Sequence, residues 1–99
     1  MVDYEFRIRQ FVGSPLKEGG QWKAIDTVPG IYGKKRDVLM SIGYKFAFHL
    51  IGQYMTMDLD GELFTSWLSG LLTEHGVRVI PSEIDTCTQA VRRWCDANI

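Results

Sequence analysis

The feature that most constrains this sequence is a wide apolar stripe between residues 62 and 75. Its members recur at the three- and four-residue spacing of one helix face, and they are Leu63, Phe64, Trp67, Leu68, Leu71 and Leu72. Asp58 or Asp60 precedes the stripe as a candidate helix cap, and Gly76 follows it as a residue suited to the left-handed end of a helix. The pattern predicts an amphipathic helix over 62–75.

A second helix is predicted after Pro81. Ser82 is its candidate N-cap, and Glu83 and Asp85 place negative charge in the first turn, where it interacts favourably with the helix dipole. Residues at helical spacing line the predicted inner face, with Trp94 at its edge, and they are Ile84, Cys87, Thr88, Val91 and Cys95. Roughly 12 Å of helix rise separates the two cysteines, so we expect two thiols packed as apolar groups and no disulfide.

Upstream of these helices, alternating patterns predict β-strands. Residues 3–12 alternate, with Tyr4, Phe6 and Ile8 on the inward side, and residues 21–28 alternate more weakly. These two segments are predicted to pair as a long-looped hairpin that ends at the Pro29-Gly30 turn. A further short strand is predicted over 77–80, between the two helices.

The segment around residues 44–51 permits two interpretations. Tyr44, Phe46, Phe48 and Leu50 alternate like a strand, which would turn at 52–53 into a partner strand over 54–59. Apolar residues also recur at helical spacing, so a helix from 37 to 52 is the alternative, although Gly43 would weaken it. We favour the hairpin, because aromatic residues are indifferent helix formers.

Together these elements predict a single α+β domain over 1–99, with a small antiparallel sheet and two C-terminal helices packed on one face. No apolar run approaches the ~20 residues that span a bilayer. The acidic N-terminus, with Asp3 and Glu5, argues against a signal peptide. We therefore expect a cytoplasmic protein that does not contact membranes.

The charges of the chain are polarised between its two halves. Residues 1–50 hold eight Lys or Arg against five Asp or Glu, and residues 51–99 hold three against seven. Such polarity steers association with a charged partner. Because no catalytic set assembles, we expect a non-catalytic protein-binding module, such as a small bacterial or phage inhibitor, immunity protein or accessory protein.

The residues proposed for that role are acidic side chains and tryptophans, the latter being common interface anchors. They are Asp58, Asp60, Glu62, Glu74, Trp22 and Trp94. The expected partner is another protein, such as a basic toxin or a nucleic-acid enzyme. A homodimer that pairs exposed aromatic and methionine side chains from 44–57 is compatible with this function.

The alternative hypothesis is a nucleic-acid-associated protein or a metal-dependent nuclease. The basic run Lys34, Lys35 and Arg36 would contact phosphates, with Arg7, Arg9 and Tyr32 as possible neighbours. The carboxylates at 58–62 would hold the metal in the nuclease version. They do not fit a calcium loop, whose twelfth position would be Ser69.

The histidines and cysteines offer no close ligand spacing. His49 lies in an aromatic run, and His75 lies at a helix end, where its charge favours the dipole. Neither is paired with Cys87 or Cys95 at the short spacing of zinc sites. We therefore expect no cofactor, no metal and no catalytic residue.

Overall fold

The computed structural model describes residues 4–99, which form five α-helices and one short hairpin. The helices are α1 (Tyr4–Gly13), α2 (Gly33–Ser41), α3 (Ala47–Thr56), α4 (Gly61–Glu74) and α5 (Pro81–Asn98). The strands β1 (Lys17–Glu18) and β2 (Gln21–Trp22) pair antiparallel, and a 3-10 helix covers Ile25–Thr27. The predicted class, an α+β domain with a small antiparallel sheet and two C-terminal helices, is confirmed. None of the described helices is both long and apolar enough to cross a bilayer.

Helix α5 forms the centre of the core and packs against α1, α3 and α4. Its buried apolar side chains include four of those predicted to face inward, namely Ile84, Cys87, Val91 and Cys95. Both cysteines are free and buried, and burial raises the pKa of the Cys87 thiol to about 12. The predicted packing of these thiols as apolar groups is therefore confirmed.

The predicted boundaries of α4 are confirmed and those of α5 need a small correction. The Asp60 carboxylate accepts hydrogen bonds from the backbone N–H groups of Glu62 and Leu63, at 3.0 and 3.2 Å. Gly76 adopts a φ of +76° directly after the helix. The predicted cap Ser82 is wrong, because α5 begins at Pro81 with Ile80 in the N-cap position and no side-chain cap.

The predicted strand over 3–12 is wrong, because its described residues belong to α1. Tyr4, Ile8 and Phe11 also follow a helical period, and Ile8 and Phe11 are the buried residues of this helix. Phe6 decides between the two patterns: a strand would bury it with Ile8, whereas its side chain is 58% exposed. An ion pair between Arg9 and Glu5, four residues apart, is typical of helical geometry.

Two further predicted strands are corrected. Of the segment 21–28, only Gln21–Trp22 is a strand, and the chain then enters the 3-10 helix. Residues 77–80 form no strand, because the Val77 N–H donates to the Leu72 carbonyl at 2.9 Å and closes the end of α4. The segment is a short connection that leads the chain into α5.

The hairpin favoured for residues 44–59 is wrong, and the alternative helix over 37–52 is also only partly correct. Helix α2 ends at Ser41, and Gly43, at a φ of +105°, turns the chain before α3 begins at Ala47. His49 fixes this start, because its Nδ1 accepts hydrogen bonds from the backbone N–H groups of Lys45 and Phe46. Gly43 therefore separates two helices and does not weaken one long helix.

Candidate functional site

A tight turn at residues 28–31 connects the 3-10 helix to α2. The Ile31 N–H donates to the Val28 carbonyl at 3.1 Å, and Gly30 has a φ of +91°, as the third position of a type II turn requires. Val28, Pro29 and Ile31 are buried. The turn is therefore anchored by apolar side chains, and the predicted Pro-Gly turn is confirmed.

Gly30 places this turn directly on the first turns of α5. A Cβ atom at Gly30 would lie 2.3 Å from the carbonyl oxygen of Glu83 and 3.3 Å from the backbone nitrogen of Cys87. Both neighbours are backbone atoms, which cannot rotate away as a side chain can. The sequence therefore needs glycine here for the close approach as well as for the positive φ.

The side chain of Glu83 ties α5 to the start of α2. The Lys35 ammonium donates to one carboxylate oxygen of Glu83 at 2.7 Å, and the Tyr32 hydroxyl donates to the other. The Lys35 nitrogen also lies 4.2 Å from the centre of the Tyr32 ring. Lys35 and Glu83 are both buried, whereas Tyr32 is 47% exposed. We refer to these three residues as the Glu83 cluster.

The Glu83 cluster holds its carboxyl group in the ionised form. Burial alone raises the pKa of Glu83, but the hydrogen bonds from Lys35 and Tyr32 outweigh burial and leave the pKa below its ordinary value. The same contact raises the pKa of the Tyr32 hydroxyl, because a phenol next to a carboxylate resists losing its proton. The cluster is thus one buried ion pair with a neutral donor.

The basic run predicted to contact phosphates separates into three different environments. Lys34 is exposed, and among the described residues no carboxylate pairs with it. Lys35 is buried in the Glu83 cluster. Arg36 is held by two carboxylates, Asp37 at 3.1 Å and Asp26 at 3.6 Å. Only Lys34 of the three therefore presents an uncompensated positive charge to solvent.

Two arginines from other elements flank the same turn. Arg7 of α1 lines a shallow depression together with Pro29, and Arg78 lines another depression on the far side, together with Tyr32 and Lys34. Within residues 4–99, neither arginine forms an ion pair with a carboxylate. We call the four residues Arg7, Tyr32, Lys34 and Arg78, which surround the buried turn, the turn surface.

Of the other predicted neighbours, Tyr32 and Arg7 lie at this surface, whereas Arg9 pairs with Glu5. Sequence reasoning missed Arg78, which falls in a segment predicted as a strand. It also assigned Glu83 to the helix dipole alone. Neither residue lies near Lys34 in the sequence, so only the fold shows that they share a surface.

The first turn of α2 adds backbone donors to the turn surface. Tyr32 occupies the N-cap position, and its side chain accepts no hydrogen bond from the helix N–H groups. The first N–H groups of a helix have no partner within the helix itself. Uncapped N–H groups beside the unpaired cations Lys34 and Arg78, with Arg7 at the preceding turn, are an arrangement that suits an anionic ligand.

The acidic residues predicted to bind a protein do not form one surface. Asp58 lies in the loop before α4, Asp60 caps the helix, and Glu62 is exposed in its first turn. Glu74 lies at the opposite end of α4, about 18 Å away along the helix axis. Their role in protein binding stays a prediction.

The two tryptophans predicted as anchors lie in different places. Trp22 of β2 is half exposed and contacts Phe48 edge-on, with 4.9 Å between ring centres. Trp94 of α5 is partly buried against the core. Phe48 belongs to the outer face of α3, which we define as Phe48, Gly52 and Met55, spaced four and three residues apart and none of them buried. Trp22 adjoins this outer face.

No metal centre is formed by the described residues. Among residues 4–99, no group of three or more His, Cys, Asp or Glu side chains lies close enough to hold an ion. The Nδ1 atom of His75 contacts the Leu71 carbonyl at 2.9 Å, and His49 caps α3. Both histidines therefore have structural contacts at helix ends.

Comparison with known proteins places the chain in a defined group. A family model described as Barrier to autointegration factor matches residues 4–98. Barrier-to-autointegration factor 1 of Caenorhabditis elegans is 30% identical over 91 residues, which cover 89% of each chain. The Homo sapiens factor is 29% identical over 92 residues, 90% of each chain. Barrier-to-autointegration factor A of Xenopus laevis is 27% identical over 89 residues, 90% of this chain and 89% of the relative.

These matches overturn the function favoured from the sequence. The predicted bacterial or phage inhibitor, immunity protein or accessory protein is wrong, because the matching family and the named relatives are animal barrier factors. The preference for a toxin or another protein over nucleic acid as partner is therefore not supported by the family. The alternative hypothesis, a nucleic-acid-associated protein, agrees better with the family.

Proposed function

This chain belongs to the Barrier to autointegration factor family, and from that premise we propose that it binds DNA through the sugar-phosphate backbone, using the turn surface. Family membership supports DNA as the ligand, because autointegration is a reaction of DNA. The observation that carries the proposal is the position of Lys34 and Arg78 beside an uncapped helix start, with Arg7 beside the turn that precedes it.

The charge balance at the turn surface favours phosphate. The neighbouring carboxylate, Glu83, is already neutralised by Lys35, so it leaves the charge of Lys34 and Arg78 uncompensated. Overall the chain carries a net charge of −1, so its positive potential must be local to attract DNA at all. A local cationic surface on a nearly neutral protein supports a small, defined phosphate contact.

The backbone of the turn supports contact with phosphate without reading of base sequence. Helix N–H groups and exposed Lys or Arg side chains bind phosphate oxygens, which are the same at every base pair. The turn itself is anchored by the buried side chains of Val28 and Ile31, so it offers phosphate a fixed backbone. We therefore expect similar affinity for unrelated DNA sequences.

The experiment measures binding of the chain to a fluorescent 20-base-pair duplex by anisotropy, at several salt concentrations. Three free cations predict that the logarithm of the association constant falls with the logarithm of salt with a slope of about −3 per chain. The variant Arg78→Ala should weaken binding and make the slope shallower by about 1.

A matched control uses Arg92, another exposed arginine without a carboxylate partner among the described residues. Arg92 lines a depression near Asp60 and Asp85, at a distance from the turn. Arg92→Ala changes the net charge exactly as Arg78→Ala does, yet it should leave affinity within about twofold. Equal losses in the two variants would mean that only net charge matters and would contradict the turn surface.

We also propose that two copies of the chain associate through the outer face of α3. Gly52 and the apolar side chains beside it carry this proposal together, because a glycine in the middle of a helix costs about 1 kcal/mol relative to alanine. A Cβ at Gly52 would meet no atom within 4 Å, so nothing in the described part of the chain requires glycine there. Close approach of a second helix would account for it.

The side chains beside Gly52 support such a contact. Met55 is 46% exposed, and Phe48 extends the face to Trp22, so large apolar groups flank the small residue. Aromatic residues and methionine are enriched at protein interfaces. The predicted homodimer through residues of 44–57 is thus retained as a proposal with a defined surface.

Sedimentation equilibrium tests the assembly. The wild-type chain should have about twice the mass of the 11.3 kDa protomer, and Gly52→Glu should sediment as the protomer. Gly70 in α4 offers the matched control, since a Cβ there also meets no atom within 4 Å. Gly70→Glu should leave the mass doubled. A wild-type chain that sediments as a protomer at tens of micromolar would refute the dimer.

A further inference from the structure

One residue of α5 contacts the DNA-binding turn in two independent ways. The backbone carbonyl of Glu83 lies against Gly30, where it leaves no room for a Cβ, and its carboxylate holds Tyr32 and Lys35. The turn and the start of α2 are thus fixed to α5 at three residues, which are Gly30, Tyr32 and Lys35. Gly33 and Lys34, at the start of α2, are exposed to solvent.

We propose that Glu83 is a positioning residue for DNA binding, which holds Tyr32 and Lys35 so that Lys34 and the first N–H groups of α2 face the phosphate. This inference rests on the proposed function of the turn surface. The polar groups of the cluster do not themselves bind DNA: the Lys35 ammonium is buried and paired, and the Tyr32 hydroxyl is directed at the carboxylate.

The charge of Glu83 is the strongest argument for this role. A carboxylate close to a phosphate-binding surface repels the ligand, so on charge alone its presence weakens binding. The hydrogen bonds of Glu83 can compensate for this repulsion. Its carboxylate accepts from two residues that lie on either side of Lys34 in the sequence, at positions 32 and 35. Lys34 is thereby held between two anchored neighbours in the first turn of the helix.

Without its contact to Glu83, Lys35 would become an unpaired cation. Its ammonium is buried and lies 4.2 Å from the centre of the Tyr32 ring. Among the described residues, Glu83 is its one carboxylate partner. Released from Glu83, the flexible side chain would move toward solvent and Tyr32 would lose its acceptor. Both changes loosen the helix start that is proposed to meet the DNA.

The test compares Glu83→Gln, Tyr32→Phe and the double variant by DNA anisotropy. The positioning role predicts that each single variant weakens binding about fivefold, that the salt slope of Tyr32→Phe stays unchanged, and that the double variant is no weaker than either single variant. A purely electrostatic role predicts the opposite sign for Glu83→Gln, because that variant removes a negative charge. Direct contact of the Tyr32 hydroxyl with DNA predicts additive losses.

Tyr32→Phe protects the test against unfolding, because it keeps the half-exposed ring and removes one hydroxyl. Amide chemical shifts of the free protein test the positioning role in the absence of DNA. Tyr32→Phe should shift the N–H signals of Gly33, Lys34 and Lys35. If Tyr32→Phe leaves both the affinity and these signals unchanged, the positioning role is refuted.

The two proposals fail in distinguishable ways. If the wild-type chain binds no duplex, the proposed function and this inference both fall. If the wild-type chain binds and Arg78→Ala weakens it, while Tyr32→Phe and Glu83→Gln stay within twofold of wild type, only the role of Glu83 is refuted.

Discussion

The starts of α2 and α4 differ in whether a side chain accepts hydrogen bonds from their first backbone N–H groups. At α4 the Asp60 carboxylate accepts from the N–H groups of Glu62 and Leu63, so the helix supplies its own anion. At α2 the N-cap residue Tyr32 turns its hydroxyl to Glu83 and offers the helix no side-chain acceptor. One helix start has a side-chain acceptor within the chain, and the other has none among the described residues.

The charges around the two helix starts follow the same division. The depression beside α4 collects Asp60, Glu62 and Asp85 against one arginine, Arg92. The turn surface collects unpaired cations, and its nearby carboxylate is neutralised. Because both helix starts are exposed, exposure does not distinguish a binding site from a capped end. The presence of an internal anion distinguishes them, and the following predictions test that distinction.

The largest effect is expected from Gly30→Ala at the turn. Its Cβ would lie 2.3 Å from a backbone oxygen, and the residue would keep a φ of +91°, so we expect a loss of about 4 kcal/mol in the free energy of unfolding. Urea denaturation followed by circular dichroism measures it. Gly70→Ala, in open space within α4, should be neutral or stabilising by up to about 1 kcal/mol. A Gly30→Ala variant as stable as wild type would show that the turn does not pack on α5 as described.

The next effect separates two adjacent lysines, Lys35→Met and Lys34→Met. Removing Lys35 leaves the buried Glu83 carboxylate without its cation, which should cost about 3 kcal/mol of stability. Removing the exposed Lys34 should cost less than about 0.5 kcal/mol. DNA binding should show the reverse pattern in its salt slope, which Lys34→Met reduces by about 0.9 and Lys35→Met leaves unchanged.

Denaturation and anisotropy on the same two proteins provide both readings. The result that contradicts this prediction is a pair of variants with equal stability and equal salt slopes, since that would make the two lysines equivalent. Such equivalence would also remove the reason for assigning Lys35 to the Glu83 cluster and Lys34 to the turn surface.

The sequence predicted best where a local signal determines the structure. The apolar stripe of α4, a cap at Asp58 or Asp60, the left-handed Gly76 and the Pro29-Gly30 turn were all predicted, because each depends on residues within a few positions. The α+β class and the two C-terminal helices followed from these signals. The apolar lining of α5 was also predicted, since its period is sustained over about three turns.

The predictions for the N-terminal half were wrong because its apolar residues fit both the period of a strand and the period of a helix. In α1, Tyr4 and Ile8 are separated by four residues, a spacing that suits both a strand and a helix, and only the exposure of Phe6 decides. In α3, burial of Ala47, Leu50, Ile51 and Tyr54 follows the helical period, which the alternation of Tyr44, Phe46 and Phe48 obscured. Tertiary packing settled both segments.

The site could be predicted only in part, because its partners are distant in sequence. Lys34, Lys35 and Arg36 look identical as a basic run, yet Glu83, 48 positions beyond Lys35, removes one of them from solvent. Arg78 joins the surface from a connection that carries no motif. No local pattern distinguishes a lysine that will be buried against a carboxylate from one that will face a ligand.

The smallest predicted effect concerns the helix start that is already capped. Asp60→Ala removes the acceptor of two N–H groups and should cost about 1 kcal/mol of stability, whereas Asp60→Asn keeps an acceptor oxygen and should cost less than half of that. Both variants remove one negative charge far from the turn surface, so DNA affinity should stay within about twofold. Urea denaturation and anisotropy measure the two quantities. If Asp60→Ala binds DNA tenfold more tightly than wild type, the uncapped start of α4 has become a second phosphate site, and the absence of an internal anion alone would then suffice for binding.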